Sequence, residues 1–251
     1  LVVSVIVFGL ARASGNPVYL MLPIDATPQD YERLTAFWGL DKPLHIQYGK
    51  FIGNALQGDF GRSIKWPGET AMGMVGSRIP ATLQLVGTSM FLAAIIALPL
   101  GVLSAVNKDT PIDFFSKIFG LIGQSAPAFW IGIMFIWIFA VELDWLPTSG
   151  RGGVKHMILP VVTLGWFQVA AVMRLTRSSM LDVLDSEYVK LARIKGLTER
   201  KIVWKHCLRN AAIAPLTFFG ILAGASVLGS VIVETVFSWP GIGMLTVEAV
   251  V

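Results

Sequence analysis

Residues of the types that most often perform catalysis or bind metals are scarce and scattered in this sequence. The three histidines, His45, His156 and His206, lie far apart, and Cys207 is the only cysteine. A metal site or a catalytic triad requires such groups to converge, so the sequence supports neither a catalytic residue nor a metal site. We interpret the histidines as solvated or interfacial and Cys207 as a buried thiol.

A nucleotide-binding loop is not recognisable either. Such loops follow the pattern G-x-x-x-x-G-K-[ST], in which backbone amides surround the phosphate groups. The one Gly-Lys pair, Gly49-Lys50, is followed by Phe51 and lacks the upstream glycine. If the protein depends on ATP, we therefore expect another polypeptide to bind it.

The composition is typical of a membrane protein. The 251 residues are 54% apolar and only 14% charged, whereas soluble domains are about 45–50% apolar and about 25% charged. Four apolar stretches exceed the roughly 20 residues needed to cross a bilayer, and their central parts contain no ionisable side chain. They are residues 80–106, 114–141, 158–181 and 211–233. The sequence therefore predicts an all-α, polytopic transmembrane bundle.

The distribution of lysine and arginine predicts the orientation of this bundle. Residues 174–209 hold nine of them, and short basic connections stay in the cytoplasm. The basic residues follow apolar spans, which argues against a nucleic-acid partner despite the net charge of +4. Counting outward from 174–209, we predict that the connection 107–113 is cytoplasmic and that three segments are external. These are 14–78, 142–157 and 234–251.

The first apolar run, residues 1–10, is too short to cross a bilayer. We interpret residues 1–13 as the end of a first transmembrane helix. A secretory signal peptide is the alternative, but no basic residues precede the run. Because the chain also ends in an external segment at Val251, we expect truncation at both ends.

Two short helices are predicted within the external segment 14–78. The first has Thr27 as its N-cap and Pro28 at its first position, and it ends at Gly39. The second is an amphipathic stretch over 44–56. We expect their apolar faces to pack on the membrane domain or to lie in the lipid interface. Docking of an external partner is the alternative.

Neutral polar side chains occur inside and beside the predicted spans. Hydrogen bonding within the bundle explains such residues most simply. Contact with a transported solute is the alternative, and it would make them part of a translocation pathway. The candidates for that role are Gln84, Thr88, Gln124, Ser125, Gln168 and Ser226.

The segment 187–206 is a charged island in an apolar chain. It begins with a short predicted helix that ends at Gly196, and a second helix starts after Thr198. Helical spacing places four residues of the first helix on one face, with a small alanine at its centre. They are Tyr188, Leu191, Ala192 and Lys195. We interpret this face as a docking surface; a solvated loop and a lipid-binding basic segment are the alternatives.

The sequence around this island resembles a known motif. "EYVKLARIKGLTERKIVWKHCLRNAAIAPLT" (187–217) closely resembles the "EAA" loop of ABC-importer permeases, with its alanine at Ala192, its glycine at Gly196 and its proline at Pro215. The resemblance implies a fold like that of the type I importer permeases.

Other segments extend the resemblance to the dipeptide/oligopeptide/nickel branch of that family. "MRLTRSSMLDVL" (173–184) and "ETVFSWPGIG" (234–243) are similar to segments of this branch. The external "LDKPLHIQYGKFIGNALQGDFGRSI" (40–64) resembles the first of its two permease subunits. The family's cytoplasmic start, most of its first helix and its last helix have no counterpart in this chain.

The resemblance implies a multi-pass subunit in a bacterial or archaeal inner membrane. Its partners would be a homologous second permease, two cytoplasmic ATPase subunits that bind ATP and Mg, an external solute-binding protein and membrane lipid. The cargo would be a peptide or a similar small solute. In this family the EAA helix couples to the ATPase, and the matching residues are Glu187, Tyr188, Ala192, Lys195, Gly196 and Leu197.

A secondary carrier or a channel-like membrane protein, not driven by ATP, is the rival interpretation. Carriers driven by protons or sodium usually place ionisable residues within the membrane. Such residues are scarce in the predicted spans. The docking face on the charged island therefore favours an importer driven by a separate ATPase.

Overall fold

The computed structural model describes residues 2–13, 15, 18–22, 26–63 and 65–250. Within them every regular element is a helix, apart from an isolated antiparallel bridge between Arg62 and Thr70. The chain divides into two compact units, residues 1–77 and 78–251. Leu1, Val251 and residues 14, 16–17, 23–25 and 64, which fall in the predicted terminal and external segments, lie outside the described residues.

The first unit contains four helices: α1 (Val2–Ala13), α2 (Val18–Met21), α3 (Pro28–Trp38) and α4 (Leu44–Leu56). Both helices predicted in the external segment are thereby confirmed. The Thr27 hydroxyl and amide both bond to the carboxylate of Asp30, at 2.6 and 3.0 Å, and these bonds lower the pKa of Asp30. Gly39 ends α3 with a φ of 66°, a conformation that glycine adopts at little cost.

Aromatic contacts hold α1 against α4. The ring of Phe8 lies 5.3 Å from that of Tyr48 and 5.9 Å from that of Phe51, measured between centroids. The hydroxyls of Ser4 and Tyr48 are 2.9 Å apart. The apolar face of α4 is therefore partly covered by α1.

The helices that follow form the second unit, whose residues begin at Arg78 within α5. They are α5 (Ala71–Val106), α6 (Pro111–Ser125), α7 (Ala128–Phe135), α8 (Val154–Leu184), α9 (Glu187–Ile194), α10 (Glu199–Lys201), α11 (Leu208–Ala211), α12 (Ile213–Val236) and α13 (Ile242–Val250). Two π-helical segments continue α7 and α10, over Ile136–Glu142 and Ile202–Cys207. Among the described residues, α5, α8 and α12 are each long and apolar enough to cross a membrane.

The predicted span over 114–141 is interrupted in the structure. The segment forms two helices, Pro111–Ser125 and Ala128–Glu142, and the chain bends by 107° between them. Pro127 explains the break, because proline disfavours the helical conformation in the residue before it. Ala126 is accordingly extended, with φ −83° and ψ 126°. The pair counts as a fourth span only if it crosses the membrane as one unit.

Helix α8 is the centre of the second unit and packs against α6, α7 and α12. Small residues permit the closest approaches. A Cβ added at Gly101 of α5 would lie 2.6 Å from Cβ of Thr176, and one at Gly123 of α6 would lie 2.5 Å from Cβ of Ala170. Glycine is therefore required at both positions, as expected for tightly packed membrane helices.

Three apolar clusters follow one another along this bundle. One surrounds Trp239 and Phe237, a second lies between α5, α8 and α12, and a third joins the ends of α5 and α8 to α9. The predicted external tail 234–251 contributes to the first cluster. Its helix α13 and its two buried aromatic residues were not predicted from the sequence.

Candidate functional site

Helix α9 is a short rod with sharply defined ends. Ser186 precedes it in an extended conformation, and Gly196 follows it with a φ of 76°. The amides of Gly196 and Leu197 donate to the carbonyls of Arg193 and Ala192, which closes the last turn. The predicted helix and its glycine stop are therefore confirmed. The start and the end of α9 are therefore both fixed by the backbone conformation.

One side of α9 is fixed to the bundle. Val189 is fully buried, in a cluster with Val102 of α5 and Met180 of α8. Ala192 and Leu197 pack partly buried against the same cluster. The sequence placed Ala192 at the centre of a free face, whereas the structure turns it toward the chain's own core.

The opposite side of α9 exposes large apolar residues. Ile194 is 81% exposed and Leu191 is 56% exposed. Tyr188 is also exposed, and its hydroxyl accepts a hydrogen bond of 2.8 Å from the Asn210 side chain. Ile194 was missed by sequence reasoning. Its spacing of three residues from Leu191 is the signal that could have revealed it.

Ion pairs frame this exposed surface. Lys190 bonds to Glu187 at 2.7 Å, and Arg193 bonds to Glu199 at 2.8 Å, which raises the pKa of Arg193. Lys195 is exposed and forms no ion pair in the part of the chain that the structure describes. The surface thus combines an apolar centre with a charged rim, an arrangement found at protein interfaces.

The second half of the charged island 187–206, after Gly196, differs in detail from the prediction. Helical structure does begin after Thr198, but its side chain makes no capping hydrogen bond. The π-helical segment Ile202–Cys207 then buries Ile202, Val203 and Cys207 together. The interpretation of Cys207 as a buried thiol is confirmed.

A buried carboxylate links α12 to its neighbours. Glu234 is fully buried and accepts hydrogen bonds from the hydroxyls of Thr82 (2.7 Å) and Ser230 (3.1 Å). It also accepts one from the amide of Met244, in the first turn of α13, at 3.1 Å. A side chain at Gly241 would overlap this carboxylate. Glu234 therefore fixes α13 against α5.

A second buried carboxylate joins three helices near α9. Asp113 of α6 is fully buried and accepts two hydrogen bonds from Arg177 of α8, and Ser104 of α5 donates to it at 2.7 Å. Lys117 lies 2.7 Å from the same carboxylate, and the Asp109 amide donates at 3.1 Å. Two cations and two neutral donors thus compensate one buried acid, as buried charges require.

Comparisons with known proteins decide the family. Residues 97–250 match the family of binding-protein-dependent transport system inner membrane components. The chain is 37% identical to the oligopeptide transport system permease protein AppB of Bacillus subtilis, over 98% of this chain and 82% of that protein. It is 41% identical to the glutathione transport system permease protein GsiC of Escherichia coli strain K12, over 99% of this chain and 81% of that protein. The chain belongs to this family of importer permeases.

The permease is thus an inner-membrane subunit of an ABC importer. The family resemblance and the all-α fold predicted from the sequence are both confirmed. The described residues hold no group of three or more metal-ligating side chains.

The structure unites only some of the predicted pathway residues of the permease. Gln168 of α8 donates to Ser226 of α12 at 2.7 Å, and both are buried. The carbonyl oxygen of the Gln168 side chain is buried and has no hydrogen-bond partner among the residues that the structure describes. Gln168 is therefore the candidate with an unused hydrogen-bonding atom.

Among the described residues, the other four pathway candidates of the permease form no hydrogen bond with this pair. The side-chain oxygen of Gln84 accepts a hydrogen bond of 2.7 Å from the guanidinium of Arg151. The hydroxyl of Thr88 donates to the backbone carbonyl of Gln84. Ser125 bonds to its own helix, and Gln124 is half-buried nearby. Among these six described candidates, the structure thus joins one pair, Gln168 and Ser226, by a hydrogen bond between side chains of two helices.

Proposed function

We propose that the permease forms half of a translocation pathway for a peptide or a similar small solute. An external binding protein delivers the solute, and a homologous second permease forms the other half. Two cytoplasmic ATPase subunits bind ATP and Mg, since this sequence has no recognisable nucleotide loop. The names of two relatives, an oligopeptide permease and a glutathione permease, support this class of cargo. The match of 40–64 to the first permease of its branch supports that position in the pair.

We further propose that α9 couples the permease to an ATPase subunit. The observation that carries this proposal is the exposure of Ile194 and Leu191 on a helix whose other side is buried. Exposed apolar side chains grouped in this way favour a protein partner. Four of the sequence-predicted contacts are also exposed on α9 or directly after it: Glu187, Tyr188, Lys195 and Gly196.

The packing of α9 supplies a route for transmitting movement. Val189 contacts the cluster that contains Val102 of α5 and Met180 of α8. Because packed interfaces move as units rather than deform, displacement of α9 would shift the adjoining ends of α5 and α8. Nucleotide binding by the ATPase would then bias the bundle between two states.

The proposed orientation places α9 in the cytoplasm and α13 outside. The nine basic residues of 174–209 support it. The connection 107–113 ends at Asp113, which bonds to Arg177 on the half of α8 that leads to α9. The connection 107–113 and α9 therefore belong to the same side of the membrane.

Replacement of Ile194 by glutamate tests the coupling proposal. Ile194→Glu should abolish ATP-dependent uptake while leaving membrane insertion intact, because the charge would be buried at the interface. Val154→Glu is the matched control, since Val154 is also β-branched and 78% exposed but lies at the other end of α8. Normal uptake by the Ile194 variant, or equal loss in both variants, would contradict the proposal.

A further inference from the structure

A cavity of about 240 Å³ lies beside the Asp113 network. Its basic lining residues are Lys117 of α6 and Arg174 and Arg177 of α8, and Ser104 and Ser116 add hydroxyls. Arg174 and Arg177 are three residues apart, so they share one face of α8. The cavity thus gathers three cations at the end of the bundle that carries α9.

The charges of this cavity do not cancel. Arg177 and Lys117 share the carboxylate of Asp113, and Lys117 also lies 3.9 Å from Asp109. Arg174 is exposed and has no ion pair among the described residues. Three basic groups therefore face two acidic ones, and Arg174 supplies the remaining positive charge.

Hydrogen-bonding capacity also remains. Guanidinium carries five N–H donors, and Arg177 directs two hydrogen bonds to Asp113. Arg174 also lines the cavity and donates no hydrogen bond to any other residue in the described part of the chain. An anion with several oxygens, such as a phosphate diester, would satisfy these donors.

The remaining wall of the cavity is apolar. Gly120, Leu121 and Met173 form it, and Leu121 is 69% exposed. The apolar surface continues along α6, where Phe114 and Ile118 are also exposed. A ligand that matches this site therefore carries an anionic head and a hydrocarbon chain.

We propose that this cavity binds the headgroup of an anionic phospholipid, with its acyl chains along α6. The lipid belongs to the cytoplasmic leaflet, given the orientation proposed above. Basic pockets between membrane helices are suited to such headgroups. The inference is independent of the coupling role of α9, because lipid binding can be measured without transport.

The test uses the intact transporter, purified in detergent and depleted of lipid. Binding of phosphatidylglycerol is measured for the wild type, Arg174→Gln, Arg174→Lys and Lys108→Gln. Lys108 is the matched control, because it is an exposed cation in the neighbouring connection that does not line the cavity. Phosphatidylcholine and inorganic phosphate serve as the zwitterionic and free-anion probes, and thermal unfolding verifies the fold of each variant.

We expect Arg174→Gln to lower the affinity for phosphatidylglycerol roughly fivefold, the factor that corresponds to one basic residue near an anionic lipid surface. Arg174→Lys and Lys108→Gln should bind nearly as the wild type does. Unchanged binding by Arg174→Gln, or an equal loss in Lys108→Gln, would overturn the proposal. Binding of phosphatidylcholine as tight as that of phosphatidylglycerol would also overturn it. Displacement of the lipid by millimolar inorganic phosphate would overturn the proposal as well. So would a structure of the assembled transporter in which the second permease fills the cavity.

Discussion

The hydroxyl of Thr82 on α5 donates to the carboxylate of Glu234 on α12 across 2.7 Å, and it accepts the amide of Ile242 at 2.9 Å. One side chain thus connects three helices. Trp239, in the turn between α12 and α13, adds a hydrogen bond of 2.9 Å to the carbonyl of Ala81. The segment from Glu234 to α13 is therefore fastened to α5 by buried polar contacts.

Replacing Thr82 by valine keeps the shape of the side chain but removes its hydroxyl. The amide of Ile242 then loses its partner, and an unsatisfied buried group costs about 1–3 kcal/mol. The carboxylate of Glu234 loses one donor but keeps its hydrogen bond from Ser230. We expect a clearly lower unfolding temperature for the purified transporter with Thr82→Val. Thr82→Ser, which keeps the hydroxyl, should unfold near the wild type. Equal stability of all three proteins would show that the contact contributes nothing.

The Asp113 network predicts strong non-additivity. Asp113→Asn leaves Arg177 and Lys117 near a neutral group, and removal of one partner of a buried ion pair costs about 3–5 kcal/mol. Arg177→Gln leaves the acid with fewer donors. Because both changes remove the same interaction, the double variant should lose less stability than the two single losses combined. Thermal unfolding of the four proteins measures this, and simple additivity would contradict the network.

Gly101 tests the close approach of α5 and α8. A methyl group at this position would overlap Thr176 and the carbonyl of Met173, so Gly101→Ala should cost about 1–3 kcal/mol through overpacking. Gly87→Ala is the control within the same helix, because no atom of a neighbouring described residue lies within 4 Å of its added Cβ. We expect a lower unfolding temperature only for the first variant. A stable Gly101→Ala protein would mean that the helices are farther apart.

Gly196 tests the geometry of the turn after α9. Its φ of 76° costs a residue with a side chain about 1–2 kcal/mol, and β-branching makes this worse. Gly196→Val should therefore lower the amount of ATPase that co-purifies with the permease. Gly196→Asn is the control, since asparagine tolerates this conformation best among such residues. If Gly196→Val retained the same amount of ATPase as the wild type, the turn after α9 would have no role in coupling.

Local signals predicted much of the fold. The N-cap Thr27, the glycine stops and the long apolar stretches are read from neighbouring residues, and the helices at 28–38, 44–56 and 187–194 follow them. The 107° break at Pro127 also has a local cause. The sequence indicates a kink at Pro127 but not its size, because proline in a membrane helix can produce either a mild kink or a complete end, and only the packing decides between them.

The buried polar networks could not be predicted in this way. Thr82 and Glu234 are separated by 152 residues and Asp113 and Arg177 by 64, so no local pattern joins them. Ala192 shows the same limit at the candidate site. The spacing predicted which residues share a helical face with Ala192. It did not show which side of α9 packs on the bundle, because that depends on the cluster around Val189.

We propose above that α9 binds an ATPase subunit in the cytoplasm. The exposed residue Ile194 at the end of α9 allows a chemical test of this proposal. The native thiol of Cys207 is buried, and burial raises its pKa, so it should stay unreactive near neutral pH. Ile194→Cys would then supply the one reactive thiol on α9, and Val154→Cys supplies the control at the other end of α8.

The most direct measurement is crosslinking of these two variants in the intact transporter, using a short reagent that joins a thiol to an amine. The account predicts a crosslinked product between Ile194→Cys and an ATPase subunit, and none from Val154→Cys. Labelling of Ile194→Cys in intact cells by a membrane-impermeant thiol reagent, without any crosslink to an ATPase, would contradict it.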